Sequence, residues 1–282
     1  MERIRMPENR FLRGIYLMVR RYLSHNVGIQ SAALAFYLLF MLFPFLIFIS
    51  ALLGLLRLDV AAILGALGEI LPREVVEIAG VYLRYVRANP SMRLLVFGLV
   101  FSIYFPMRAT NALMRAVRTA YHLGPPKGAI LHRLKTLLYT VMLIVTIAVS
   151  VTLMTIGDRV LAYAVRHFHL PVFAAELWTK LRFPAVAVVG FFALYFLYAL
   201  SQDGRQPWQN IWPGTLAALA AWMGFSWLYT WYVDHIAHYS LLYGSIGTII
   251  VLMIWLYMSA IVLIMGAELN GTLMSLRKER MK

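Results

Sequence analysis

Apolar residues fall into six long blocks separated by basic or mixed stretches. The last block is the cleanest. Ser245 to Ala267 holds twenty-three residues without a charge, opened by Tyr243-Gly244 and closed by Gly266-Ala267-Glu268-Leu269-Asn270. A helix of that length crosses the hydrocarbon of a bilayer with some tilt. The first block, Ser31 to Leu56, has twenty-six uncharged residues with Pro44 in the middle. The missing backbone N–H predicts a kink there. The second block is short: fourteen uncharged residues, Leu94 to Met107, precede Arg108, and Pro106 lies just before it. This predicts a shortened or broken spanning helix with Arg108 at the inner membrane boundary. Leu137 to Gly157, Phe183 to Gln202 and Ile211 to Val233 are further spans, with Pro184 tolerable in a first turn. In the fifth span Gly214 and Ala218, Ala217 and Ala221, and Ala220 and Gly224 repeat small residues at i, i+4. Such rows let helices approach closely. The predicted fold class is an all-α polytopic membrane protein. Its six transmembrane helices, about 31–56, 94–107, 137–157, 183–202, 211–233 and 245–267, lie in one domain over 31–270.

The intervening stretches are amphipathic. Residues 1–30 carry six arginines, with Leu12, Ile15, Tyr16, Val19 and Leu23 at helical spacing. That pattern predicts a basic helix lying on the cytoplasmic face, its arginines towards anionic headgroups. Residues 57–93 mix five arginines with four acids and are split at Leu71-Pro72. They read as helices resting on the outer surface. Residues 109–136 have five basic residues and no acid, with Gly124-Pro125-Pro126 dividing two helical pieces. Asn111, Arg115 and Arg118 are expected on one face of the first piece. Residues 158–182 form a second outer segment broken at Leu170-Pro171, and 203–207 a tight turn. Residues 271–282 are a basic cytoplasmic tail.

Composition agrees with the blocks. The chain of 282 residues is 62% apolar and only 13% charged, about half the charged share of a globular domain. Its net charge of +14 could suggest nucleic acid, but the apolar stripe in 1–30 argues for a membrane surface. No nucleic-acid partner is expected. Of the 26 Lys and Arg residues, the side holding both termini carries 17 and the other side 9. By the positive-inside rule both termini are cytoplasmic. The first thirty residues are polar and basic, so no cleavable signal peptide is expected. With no cysteine, disulfides, thiolate catalysis and Cys-ligated metal sites are excluded.

Several ordered motifs add to this. Ala32-Ala33-Leu34-Ala35-Phe36-Tyr37 runs on to Phe43-Pro44. Pro213-Gly214 precedes the small-residue helix, and Tyr243-Gly244-Ser245-Ile246-Gly247, Trp255-Leu256-Tyr257 and Gly266-Ala267-Glu268-Leu269-Asn270 follow. In order and spacing, from about Tyr16 to Asn270, the chain resembles the YihY/BrkB family. One departure is Phe36 beside Tyr37, where tyrosine pairs are frequent. The resemblance implies a multi-pass protein of the bacterial inner membrane, with six helices and an association with envelope integrity. It also implies an old label, ribonuclease BN, later regarded as mistaken.

The side chains carry little catalytic chemistry. A metal-dependent nuclease needs clustered carboxylates or histidines, and the twelve acids are scattered. Asp234, His235 and His238 are the closest metal-like set and could share a helix face at the outer membrane boundary, but interfacial polar residues are the simpler account and no metal site is expected. His167 and His169 are weaker still. Phosphate loop, dinucleotide fingerprint and nucleophile elbow are all missing. No enzyme activity and no cofactor are expected. Candidate cavity, hinge or gate residues remain. Pro44 marks the kink and Arg108 a cation near or in a cavity. Gly244 and Gly247 allow close contact or a hinge at the outer entrance of the last helix. Trp255 and Ser259 stack at i, i+4 near mid-membrane, where an indole N–H wants an acceptor. Glu268 sits where a helix C-terminus disfavours negative charge, so it should pair with Arg108 or an arginine of the N-terminal segment. Asn270 follows on the same helix. The functions these residues suggest are transport or flipping of an envelope component, or a scaffold binding a membrane partner. Membrane lipids are the expected partners, and the small-residue faces allow a homo-oligomer.

Overall fold

A computed structural model describes residues 10–56, 64–65, 76–77, 80–81, 92–126, 128–155, 173–202, 207–235 and 245–280. Seven α-helices order them: α1 (Arg10–Ser24), α2 (Val27–Leu56), α3 (Met92–Ala120), α4 (Ala129–Thr155), α5 (Phe173–Leu200), α6 (Trp212–His235) and α7 (Ser245–Arg280). A single 3₁₀ turn, Trp208–Asn210, precedes α6. The described residues contain no strand. The surface helices expected in 57–93 fall mostly outside the described residues, and so do 158–172, the turn at 203–206, His167, His169, His238 and Gly244.

Five stretches are long and apolar enough to cross a membrane: Val27–Phe48, Leu95–Ala120, Ala129–Ile147, Phe183–Leu200 and Ile246–Lys278. The expected span over 211–233 is a helix of 24 residues and is not among those five. The chain is thus an all-helical membrane protein with several apolar helices.

The helices overrun the uncharged blocks. The second block is not a broken or shortened span. α3 runs unbroken for 29 residues through Pro106 and Arg108. Charge ended the predicted span, whereas the helix continues because its other face stays apolar: Ala109, Leu113, Ala116, Val117 and Ala120 are buried. Pro184 lies inside α5 rather than in its first turn, because that helix begins at Phe173. The basic tail is helical to Arg280, so Glu268 lies inside α7 and the argument from the helix-end dipole does not apply to it. Pro44 is buried inside α2, which also continues through it.

α7, 36 residues and roughly 54 Å long, is the element the others gather on; α1, α2, α3 and α6 all pack against it. α4 bridges α3 and α5, and α5 reaches α6. The buried apolar core lies where α2, α3, α5, α6 and α7 converge, around Leu34, Val117, Leu197, Tyr198 and Ile264. The crossing of α6 and α7 depends on glycine. A Cβ added to Gly214 would stand 2.1 Å from the Gly266 carbonyl oxygen, and one on Gly266 would stand 2.5 Å from Ala218 Cβ. No side chain fits there without the helices parting.

Two helix ends turn on left-handed residues other than glycine. Asn26 has φ 52° and His122 has φ 54°. At the end of α3 the His122 amide donates to Thr119 O and the Leu123 amide to Arg118 O, both at 2.9 Å. This is the Schellman pattern, whose left-handed position is usually glycine. A histidine there is strained by ~1–2 kcal/mol, so its side chain needs a compensating contact.

Candidate functional site

That contact is Arg21. The side chain of Arg21 leaves α1 and enters the junction of α3 and α7, where it is 7% exposed. Its Nη1 donates to Ala120 O at 3.0 Å and to Glu268 Oε2 at 3.3 Å. Its Nη2 donates to Ser275 Oγ at 2.9 Å and Gly271 O at 3.3 Å, and lies 3.0 Å from His122 Nε2. Beside it His25 Nδ1 meets Glu268 Oε1 at 2.5 Å. The rings of His25 and His122 stand edge to face, centroids 5.5 Å apart. Glu268 is only 1% exposed, and a carboxylate so enclosed requires this pairing. Gly271 leaves room for the guanidinium, because a Cβ there would lie 2.6 Å from Arg21 Nη1 and 2.2 Å from Ala120 O. His122 lies outside the membrane span and holds its proton less tightly than an ordinary histidine. Desolvation is the main cause, the charges of Arg21 and His25 add to it, and Glu268 opposes them.

The partner of Glu268 is therefore an arginine of the N-terminal helix and not Arg108. Sequence reasoning missed both histidines. His25 and His122 lie 243 and 101 residues from Glu268 and Arg21 respectively, and only tertiary packing joins them. The one local signal was a non-glycine residue where α3 must reverse.

Asn270 lies two residues further along α7. Its Oδ1 accepts from the Gly214 amide at 2.7 Å, and its Nδ2 donates to Ile211 O at 2.8 Å. It thereby caps the start of α6 from another helix, satisfying one of the amides a helix N-terminus leaves free. Ser259 is buried and accepts a bond at 3.0 Å from Nε1 of Trp222, a residue of α6. The expected stacking partner Trp255 instead lies beside that indole, with ring centroids 6.2 Å apart. Gly247 is buried in the first turn of α7. Asp234 and His235 end α6, where His235 is exposed and its Nδ1 lies 2.9 Å from Trp231 O. Among the described residues no three His, Asp or Glu side chains group as metal ligands.

Arg108 stands apart from these contacts. It lines a cavity of about 350 Å³ between α2 and α3 together with Gln30, Tyr37, Asn111, Arg115 and Thr119. Its guanidinium carbon lies 5.9 Å from the Tyr37 ring centroid and 5.6 Å from that of Tyr104, within cation–π range. Asn111 is held by His132, whose Nε2 lies 2.8 Å from its Oδ1. Among the described residues no carboxylate reaches Arg108 or Arg115. Arg118, expected to share the Asn111 and Arg115 face, instead turns inward. It is buried and donates to Gly124 O at 2.6 Å and to Ser201 O at 3.0 Å. The cavity adjoins the Arg21 junction, because Gln30 Nε2 donates to His25 O at 2.6 Å.

A family model described as virulence factor BrkB matches residues 18–282. The chain belongs to the BrkB family. Among relatives, the putative ribonuclease-like protein YfkH of Bacillus subtilis is 30% identical over 258 residues, covering 92% of this chain and 94% of its own. A UPF0761 membrane protein of Tolumonas auensis is 39% identical over 84 residues, 28% of this chain and 26% of its own. Another, from Alkalilimnicola ehrlichii, is 35% identical over 83 residues, 29% of this chain and 19% of its own. No solved structure matches. Membership in the BrkB family, relatives named as membrane proteins and five apolar helices agree on a multi-pass membrane protein.

Proposed function

We propose that this BrkB-family protein moves an envelope component, a lipid or a small solute, across the bacterial inner membrane and thereby supports envelope integrity. In this reading α6 is a sixth span, both termini are cytoplasmic, and the protein is not an enzyme. One observation carries the proposal. Arg108 lies within an apolar span, about 18 Å along the axis from Ala120 at ~1.5 Å per residue. It faces a cavity with no carboxylate among the described residues. A cation at the centre of a bilayer costs ~2.5–3.5 kcal/mol even on the milder insertion scale. Such residues mark pathways for ions and substrates. In the metal-dependent ribonuclease reading, by contrast, no described group of acids and histidines would hold the cation.

A scaffold is the second reading. It draws on Ala220, Ala221 and Gly224, which are exposed on α6, with nothing within 4 Å of a Cβ added at Gly224. The rest of the small-residue row, Gly214 and Ala218, is consumed by α7 inside the protein, which weakens this reading.

The test is reconstitution in vesicles with labelled anionic and zwitterionic lipids and small solutes. Protein-dependent movement that falls in Arg108→Gln is expected. No movement of any probe, together with a single stoichiometric crosslinked partner in membranes, would transfer support to the scaffold. The absence of cysteine lets single introduced cysteines report topology. Positions near Arg133 should label only from the cytoplasmic side.

A further inference from the structure

We infer that the α2–α3 flank is a laterally open binding groove for a membrane lipid with an anionic phosphate headgroup. Arg108 and Arg115 hold the phosphate, and the aromatic rows beyond them take the acyl chains. The proposal rests on the membrane-spanning reading of α3 given above.

One face of α3 changes character along its length. Phe97, Phe101 and Tyr104 are followed by Arg108, Asn111 and Arg115, each three or four residues after the last. That spacing keeps all six on a single stripe. The first half is aromatic, with Phe97 and Phe101 centroids 4.5 Å apart. The second half is cationic and polar and lines the cavity. α2 continues the aromatic half across the groove: Phe40 lies 5.8 Å from Phe105 and 4.4 Å from Phe36. A face apolar at one end and doubly cationic at the other complements an amphiphile, not a free ion.

The groove opens sideways. Phe97 is 47% exposed and Tyr104 46%, and Arg108 and Arg115 are exposed as well. In a membrane this flank meets lipid, so the ligand need not pass through water. Of the two cations, Arg108 is about two turns nearer the aromatic half. The faces of Tyr37 and Tyr104 steady its guanidinium by cation–π attraction. An arginine so placed presents a planar fork suited to two phosphate oxygens. Asn111 stands between the two arginines with its amide oriented by His132. The cavity of about 350 Å³ admits a headgroup, while the chains lie along the exposed rings.

Two measurements test this. In the first, protein released from micelles is weighed by native mass spectrometry after incubation with short-chain phosphatidylglycerol, phosphatidylcholine or inorganic phosphate. Phosphatidylglycerol should be retained, with affinity falling about ten-fold in Arg108→Gln and again in Arg115→Gln, as expected for loss of a charge-assisted contact. Arg133→Gln, exposed on α4, should bind as wild type. Equal loss in Arg133→Gln, or displacement of the lipid by inorganic phosphate alone, overturns the lipid groove. The second uses the unmodified protein, so no variant has to fold. Phosphatidylglycerol with a diazirine in its acyl chain should crosslink chiefly to the segments around Phe97–Phe101 and Phe36–Phe40. Even labelling of every exposed helix overturns the proposal. Binding and movement separate the two claims. Groove binding without transport sinks the transport reading and leaves this site standing. Transport that falls in Arg108→Gln, with no lipid retained and no localised crosslinking, sinks the site alone.

Discussion

Glu268→Gln tests the energetics of the α1–α3–α7 junction. The variant removes the carboxylate but keeps the side-chain volume, leaving Arg21 without its charged partner at 3.3 Å. Breaking a buried pair from one side costs ~3–5 kcal/mol, because the remaining charge stays desolvated. Arg21 retains the carbonyls of Ala120 and Gly271 and the side chains of Ser275 and His122. Those acceptors place the cost at the lower end, about 3 kcal/mol. At ~2–4 °C per kcal/mol for a chain of this general size, the apparent unfolding midpoint in detergent should fall by roughly 6–12 °C. Arg21→Met should cost a similar amount, since it leaves the buried Glu268 with His25 as its remaining partner. The double variant should be less destabilised than the two shifts summed, because neither charge is then stranded. Arg108→Gln combined with Glu268→Gln should simply add, since the two residues share no hydrogen-bond partner in the structure. The reasoning is refuted if Glu268→Gln leaves the midpoint unchanged, or if Arg21→Met and Glu268→Gln are strictly additive.

Three further outcomes are expected. Gly214→Ala should destabilise by ~1–3 kcal/mol or more as α6 and α7 are forced apart, whereas Gly224→Ala, with open space at its Cβ, should be neutral or slightly stabilising; paired melts of the two variants check this. Asn270→Ala takes the Oδ1 acceptor from the buried Gly214 amide, while the Ile211 carbonyl keeps the Thr215 amide and hydroxyl; the cost is ~1–3 kcal/mol, and hydrogen exchange should rise first at the start of α6. His122 contributes a pH dependence of known sign. Its pKa is lowered from 6.5 in the folded protein, so the unfolded chain binds the proton first. As pH falls through 6.5 this residue destabilises the fold, and the loss is complete below the folded value. His25, Arg21 and Glu268 face it, and His122→Gln should remove its share of the slope, whatever the variant's midpoint at pH 8; a slope identical in wild type and variant would count against the assignment.

The membrane architecture was legible in the order of residues because it depends on summed hydropathy, which needs no knowledge of neighbours. The lengths of the apolar blocks and the small-residue row of α6 follow from local spacing alone. So does the family motif from Ala32 to Asn270. Helix ends do not follow the ends of the apolar blocks. A charge stops an apolar block, but it does not stop a helix whose other face is buried, as α3 shows through Arg108 and α7 through Glu268.

Partnership was a different matter. The expected cation for Glu268 rested on a helix-end dipole that does not act inside α7; the burial that demands the pairing and the choice of Arg21 over Arg108 belong to the packing. The same holds for Asn270 reaching Gly214, and for Ser259 accepting from Trp222 rather than standing with Trp255. Each is a contact between side chains on different helices, fixed by how the helices cross. The crossing is in turn set by where glycine allows backbones to meet at Gly214 and Gly266. Hydropathy names which segments enter the membrane; packing alone decides which faces meet inside it, because lipid is as apolar as the core and gives no local signal of which way a helix turns.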